Sequence, residues 1–365
     1  MPITTKTITR KLDCFALSTY FRKKIVAEIE KQFTRLDAGV TALKRMQANL
    51  KRYRASVLKA ACEGKLVPTE AALARMANTP DSKSSASVVR TRRADALDSK
   101  SSILSAARAD ASNLKSIGLK NPGDFESGAA LLERILADRR KNWKGRGKYK
   151  EPAAADTTKL SKLPDNWTWA SVEQLGDVQL GRQRSPKNIS KDYPTKYIRA
   201  ANITERGIDV SDVLEMEFSP EERKRFTLQN GDIVLSEASG SPAHVGKPAV
   251  WRGELPLCCF QNTVLRLRPV LTSEKYALTV FQHFFVNSVF AKVAGGVGIN
   301  HLGAEKFSSI PFPLPPLAEQ KRIVAEVERR LSVVEELEAT VTANLLRATR
   351  LRQAILQKAF SGELI

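Results

Sequence analysis

Apolar residues recur every seven positions in the first part of the chain, at Ile29, Leu36, Leu43, Leu50 and Val57. Phe33, Val40, Met46 and Tyr53 fill an adjoining stripe, and lysines and arginines take the other faces. A seven-residue period predicts a long amphipathic helix whose seam another helix must cover. The pattern returns near the other end, where Val327, Val334, Val341, Ala348 and Ile355 are flanked by Leu331, Leu337, Leu345 and Leu351. The two segments are copies. Both open on Ile-Val-Ala-Glu, at Ile25 and Ile323, and both close on a glycine, Gly64 and Gly362. Between these ends Glu30 and Glu328, Arg52 and Arg350, Arg54 and Arg352, and Leu58 and Leu356 hold one register without insertion. Each helix would be roughly 60 Å long, with its glycine free to adopt the left-handed C-terminal cap. The twin is the nearest cover for so long a stripe, so the two helices are expected to pack together as a spacer. A coiled coil used for oligomerisation fits the same pattern.

Between the copies the texture changes twice. Residues 68–130 are rich in Ala, Ser, Thr, Asp, Lys and Arg and read as a linker or a loose helical excursion. Leu131, Leu132, Ile135 and Leu136 then stand at helical spacing, followed by a basic tail from Arg139 to Lys150 that contains Trp143 and Tyr149. Such a tail lies along phosphates or serves as a solvated linker. From Leu163 short β-rich runs such as "YIRAANI", "DIVLSEA" and "NTVLRLRP" alternate with the turn signals "QNGD", "SGSP" and "GGVG". "KYALTVFQHFFVNSVFAKVA" reads as one buried helix. Pro311, Pro313, Pro315 and Pro316 are expected to end this domain, because proline continues neither a ladder nor a helix interior. The predicted class is α+β, one mixed α/β domain plus two long helices. The predicted boundaries are 1–21, an atypical N-terminal segment; 22–67, the first long helix; 68–162, a linker with helical and basic segments; 163–316, the α/β domain; and 317–365, the second long helix.

Charge narrows the partners. Lysine and arginine total 59 against 39 aspartates and glutamates, a net charge of +20. Such an excess attracts polyanions, and neutralising phosphates releases counterions, so nucleic acid is the first partner to consider; ribosomal and membrane-surface proteins can be equally basic. No apolar run is long enough to mark a membrane span and Met1 to Tyr20 lacks a signal-peptide centre, so a cytoplasmic location is expected. Cys14, Cys62, Cys258 and Cys259 have no C-x-x-C spacing and read as reduced core thiols.

Enzymatic motifs fail on their spacing. "GSPAHVGKP" has five residues between its glycines and Pro248 where a phosphate-binding loop needs Ser or Thr. "GGVG" from Gly295 lacks the third glycine of a dinucleotide site and reads as a tight turn. His244, His283 and His301 are too scattered for a metal triad, and His283 sits on an apolar helix where a core role is expected. The acidic residues of "SPEERKR" read as a solvated helix start. No catalytic triad or nuclease carboxylate cluster stands out, and the Asn-Pro-Pro-Tyr type of tetrapeptide is missing from the sequence; catalysis is expected from other chains.

At "LPDNWTWASVEQLGDV", "YIRAANI", "LQNGDIVLSEASGSPAHVGK", "FQNTVLRLRP" and "IPFPLPPLAEQKRIVAEVE" the chain resembles the specificity subunits of type I restriction-modification enzymes. "LLERILADRRKNW" before "LPDNWTW" also resembles the join between that family's first helix and its second recognition domain. The resemblance implies a non-catalytic subunit that reads double-stranded DNA with target-recognition domains spaced by two antiparallel helices in a coiled coil. It also implies docking of methyltransferase and restriction subunits, with S-adenosylmethionine, ATP and magnesium used by those partners. Family members usually carry a recognition domain before each helix, and only the one before the second helix is expected here. A truncated subunit, a separately expressed first domain, self-pairing of two such chains, and a non-reading scaffold that occupies the methyltransferase are the alternatives this leaves open.

DNA reading needs Arg and Lys for phosphates and guanine, and Asn, Gln, Ser, Thr or His for other edges. "LGRQRSPKNISKDY" gathers Arg182, Gln183, Arg184, Lys187, Asn188 and Lys191 in one turn-rich stretch, the leading candidate. Arg199 and Asn202 follow in "YIRAANI", then Ser239, Ser241, His244 and Lys247, and finally Asn300 and His301 beside a glycine-rich turn.

Overall fold

The structure is a computed structural model that describes residues 19–77, 126–143, 145, 147–183, 192–241, 244–295 and 300–365. Its helices are α1 (Thr19–Cys62), α2 (Glu70–Ala77), α3 (Gly128–Lys141), α4 (Val172–Leu175), α5 (Pro220–Phe226), α6 (Glu274–Val286), α7 (Val289–Val293), α8 (Ala304–Ser308) and α9 (Leu317–Ser361). The strands are β1 (Thr168–Ser171), β2 (Gly176–Leu180), β3 (Pro194–Ile198), β4 (Ile203–Thr204), β5 (Gly207–Ile208), β6 (Leu214–Glu217), β7 (Ile233–Ser236), β8 (Ala238–Ser239), β9 (Pro248–Val250), β10 (Cys259–Phe260), β11 (Val264–Pro269), β12 (Asn300–His301) and β13 (Pro311–Leu314). The described residues form two compact units, one from 19–57 with 328–365 and one from within 58–327. None of the described helices is long and apolar enough to cross a membrane.

In the helical unit the sheltered positions of α1 alternate in steps of three and four through Phe33, Leu36, Val40, Leu43, Gln47, Leu50, Arg54 and Val57. This differs from the stripe expected from hydropathy, because Met46 and Tyr53 are exposed while Gln47 and Arg54 are half-buried. On α9 the sheltered set is Leu331, Val334, Glu338, Val341, Leu345, Ala348, Ile355 and Ala359, whereas Leu337 and Leu351 are exposed. Of the remaining expected packing residues, Ile29 is half-buried and Val327, which lies in the second unit, is buried. Arg54 pairs with Glu338 at 3.0 Å, Arg352 pairs with Asp37 at 3.0 Å, and the Arg352 guanidinium lies 4.5 Å from the centre of the Phe33 ring.

The second unit is built on short sheets. A four-stranded antiparallel sheet runs β2-β11-β7-β9, so β2 is an edge strand. A three-stranded sheet runs β10-β3-β6, and its core of Tyr197, Phe218, Phe226, Trp251, Phe260 and Val264 is shared with β7 and β9. The second core is aromatic: Phe281 stacks on Phe284, Phe290, Phe307 and Phe312 at ring separations of 5.4–6.3 Å. These edge-to-face and tilted pairs add to the burial of apolar area. This unit takes in more than residues 163–316, since Leu131 and Ile135 of α3 and Leu58 and Ala61 of α1 are also buried.

Two expectations are corrected here. The proline-rich "PFPL" does not end the domain but forms β13, pairing Thr168 with Leu314 and Ser171 with Pro311. A two-stranded ribbon leaves one edge of each strand unpaired, so alternate prolines lose no ladder bond. The single helix expected over 275–294 is broken between α6 and α7, where Ser288 adopts a left-handed φ of 56° and Asn287 donates to the His283 carbonyl at 2.8 Å. Gly128, at the start of α3, packs so closely that a Cβ there would lie 2.2 Å from the Leu314 carbonyl.

Buried charge ties the first turn of α9 to the rest of this unit. Glu319 accepts from the Trp167 indole at 2.9 Å and from the Glu70 amide at 3.1 Å, and Glu70 in turn pairs with Arg322 at 2.5 Å. Burial pushes the Glu319 carboxyl above its ordinary range, opposed by those two hydrogen bonds. Cys62, Cys258 and Cys259 are buried free thiols, and burial raises Cys258 to about 12 and Cys259 to about 11. Cys14 lies outside the described residues.

Candidate nucleic-acid interface

The structure gathers the described candidates into three places. The first is the end of β2. Gly181 is pressed so tightly against β10 that a Cβ would meet the Gln261 carbonyl at 2.1 Å. The chain then turns through Arg182, whose amide donates to the Phe260 carbonyl at 3.1 Å. Arg182 pairs with Glu222 at 2.6 Å, donates to the Glu217 carbonyl, and lies 5.1 Å from the Phe218 ring centre. Its guanidinium is therefore engaged in holding β6 and α5. Gln183 beside it is exposed. Arg184, Lys187, Asn188 and Lys191 lie outside the described residues.

The second place is the turn after β3. Asn202 is 3% exposed, and its amide donates to the Asp209 and Asp212 carbonyls at 2.9 and 3.0 Å while its oxygen accepts from the Arg199 amide at 3.0 Å. An amide so fully used cannot reach a base edge; it shapes the turn. Arg199 is half-buried and paired with Asp212 at 2.5 Å.

The third place is the ribbon of β8 and β12, which pairs Asn300 with Ser239 and His301 with Ala238. Segments some sixty residues apart in the chain thus meet, with Ser239 and Asn300 on one face of the ribbon and His301 on the other. His301 faces the Glu237 carboxylate at 3.1 Å through Nδ1, and Glu237 is itself buried. Ser236 tightens the following turn, donating its hydroxyl to the His244 carbonyl at 2.6 Å and accepting from the Lys247 amide at 2.9 Å. Ser239 accepts from the Ser241 amide at 3.2 Å. His244 and His301 are exposed; Ser239, Ser241, Lys247 and Asn300 are half-buried.

Sequence reasoning passed over residues that the fold places beside Arg182. An open cleft of about 510 Å³ lies between β2 and α5 and is lined by Gln179, Gln183, Glu221 and Arg225 as well as Arg182 and Glu222. The acidic residues of "SPEERKR" were expected to be a solvated helix start. Ser219 and Glu222 do form a reciprocal capping box there, yet Glu222 also serves Arg182 and Glu221 faces the cleft. Beneath the cleft, Arg266 on β11 donates to the Asp177 carboxylate and to the Arg225 carbonyl. Burial, and then the neighbouring Arg268, pull the ionisation of Arg266 down. Arg268 clasps Asp232 through two bonds of 2.7 Å. Among the described residues no group of three or more His, Cys, Asp or Glu is placed to hold a metal ion.

Comparison with known proteins bears on this unit. The chain is 31% identical over 214 residues to the specificity subunit of the type I restriction enzyme EcoKI of Escherichia coli K12. It is 30% identical over 210 residues to the StySPI specificity subunit of Salmonella potsdam. Each match takes in 56% of this chain and 44% of the relative, so the chain spans about half the length of these relatives. Solved structures also match. The HsdS subunit from Thermoanaerobacter tengcongensis matches at 20% identity and a TM-score of 0.37, over 73% of this chain and 57% of that one. A chain from a study of complex assembly and conformational transition in the type I R-M system matches at 19% identity and a TM-score of 0.43, over 74% and 60%. The family model described as "Type I restriction modification DNA specificity domain" covers residues 164–346, which include all three places and the cleft. With half of its length inside that match, the chain belongs to the family of type I restriction modification DNA specificity domains.

Proposed function

We propose that this chain is a sequence-reading subunit of a type I restriction-modification complex, with the unit around the cleft and the β8–β12 ribbon reading a half-site in double-stranded DNA. The observation that carries the reading is the ribbon within the family-matched region, where two distant segments pair Asn300 with Ser239 and His301 with Ala238, while Ser236 holds the turn that bears His244 and Lys247. Donors and acceptors of this kind read base edges, and cations beside them grip phosphates. Arg184, Lys187, Asn188 and Lys191 are retained as contacts on sequence grounds. The net charge of +20 supplies the attraction to the duplex.

In the same reading α1 and α9 form an antiparallel coiled-coil spacer, supported by the contacts of Arg54 with Glu338 and of Asp37 with Arg352, in which the later position on α1 meets the earlier one on α9. The spacer docks methyltransferase and restriction subunits, and those partners bring S-adenosylmethionine, ATP and magnesium; the chain itself carries out no covalent chemistry. It works in the cytoplasm, alone or paired with a second recognition domain. The test is selection from randomised duplexes with the full chain, alone and with its methyltransferase subunit. Enrichment of a defined motif supports the reading. Retention of duplexes without any motif overturns it in favour of a scaffold that occupies the methyltransferase without reading.

A further inference from the structure

The cleft between β2 and α5 holds a donor and an acceptor held in place from two sides. Arg225 and Glu221 stand four residues apart on α5, both exposed and both lining the cleft. The Arg225 Nε donates to the Gln179 side-chain Oε1 at 2.9 Å. Gln179 is itself fixed, because its amide nitrogen donates to the Leu180 carbonyl at 2.6 Å. From below, Arg266 donates to the Arg225 main-chain carbonyl at 3.2 Å. Gln179 and Arg266 are direct register partners on β2 and β11. Side chain and main chain of Arg225 are thus tethered to adjacent strands of one sheet. Among the described residues the two Nη nitrogens of Arg225 have no hydrogen-bond partner, so the outer edge of the fork is open.

We infer that Arg225 and Glu221 read a single G·C pair in the major groove, the Arg225 fork on guanine O6 and N7 and the Glu221 carboxylate on the cytosine amino group. This rests on the DNA-reading function proposed above. Side chains four apart on a helix have Cβ atoms about 6 Å apart, a separation that suits the adjacent edges of one base pair. Guanine offers two acceptors and cytosine one donor, the complement of an arginine beside a carboxylate. A phosphate is the poorer partner for this cleft. Glu221 stands beside Arg225 with no cation paired to it among the described residues, and its charge opposes the attraction of the arginine for a phosphate. Because Gln179 and Arg266 fix the fork before binding, little side-chain freedom is lost on contact.

The experiment repeats the randomised-duplex selection with full-length Arg225→Lys, Glu221→Gln and Gln179→Ala, after circular dichroism confirms their folding. Arg225→Lys keeps the charge and loses the fork, so preference for G·C at one position falls about tenfold while the other positions persist. Glu221→Gln relaxes the same position, and so does Gln179→Ala, which leaves both reading groups intact but frees the fork; a purely structural role for Gln179 would not act on one position. A wild-type motif that survives unchanged in Arg225→Lys and Glu221→Gln overturns the inference and leaves the DNA-reading function standing. Uniform weakening over all sequences with a shallower salt dependence also overturns it, by assigning Arg225 to a phosphate. Failure of the wild type to enrich any motif overturns both.

Discussion

Arginine serves the two units in opposite ways. In the helical unit Arg54 keeps 27% of its side chain exposed against Glu338 and Arg352 keeps 49% against Asp37. In the sheet unit each pair has one buried member: Arg266 keeps 3% beside an Asp177 that keeps 64%, and Arg268 keeps 29% around an Asp232 that keeps none. Pairs that keep solvent on both members are screened and contribute little, so those on α1 and α9, with at least 27% of each side chain open to water, select an alignment between otherwise similar seams. A pair with one buried member costs desolvation that further hydrogen bonds offset, and those from Arg266 to the Arg225 carbonyl and from Arg268 to the Thr227 carbonyl lock strands and the end of α5 into one geometry.

The sharpest way to break this contrast is Asp232→Ala. It leaves the Gln229 amide without its acceptor and Arg268 with the Thr227 carbonyl alone, and should lower stability by about 3 kcal/mol, measured as a fall in the urea midpoint of the sheet unit. A loss under 1 kcal/mol would show that the pair is no more than a surface bridge. Next comes the seam of α9: Leu331→Ala, at a buried position, should cost about 2–3 kcal/mol, and Leu351→Ala, at an exposed one, no more than about 0.5 kcal/mol. Equal losses in thermal unfolding would mean that the sheltered face is assigned to the wrong residues.

Glu319 gives a pH signature. Its folded carboxyl ionises above the ordinary value of 4.5 because it is buried, so folding favours the protonated form. This contribution is fully present below pH 4.5 and lost as pH rises through the folded value. Urea midpoints of the wild type, compared with Glu319→Gln across that window, should fall with rising pH in the wild type alone. The smallest effect belongs to the pair of Arg54 and Glu338, where a double-mutant cycle should return about 0.2–1 kcal/mol that fades with salt; a larger, salt-insensitive coupling would place that pair with the buried ones.

The same contrast explains what could be read in advance. The heptads of α1 and α9 are local and periodic, so Leu36, Leu43, Val334 and Val341 were legible from spacing. Gln47, Arg54 and Glu338 were not, because a step of three and four places a residue in the seam whatever its polarity, while hydropathy drew the eye to Met46, Tyr53 and Leu337. In the sheet unit the polar turns that became β8 and β12 stood out by composition. The tether of Arg225 did not: Gln179 lies 46 residues earlier in the chain and Arg266 41 later, and nothing local distinguishes "PEERKR" from a solvated helix. Asn202, a residue type suited to bases, is engaged by the backbone of its own turn, which spacing alone does not reveal.

The central claim, that this chain reads DNA through its sheet unit, is tested most directly by mapping methylated adenines across the genome of cells carrying its methyltransferase subunit, with and without the chain. The account predicts adenine marks confined to one motif and lost when the chain is deleted. Stable co-purification with the methyltransferase but an unchanged methylation map would contradict it.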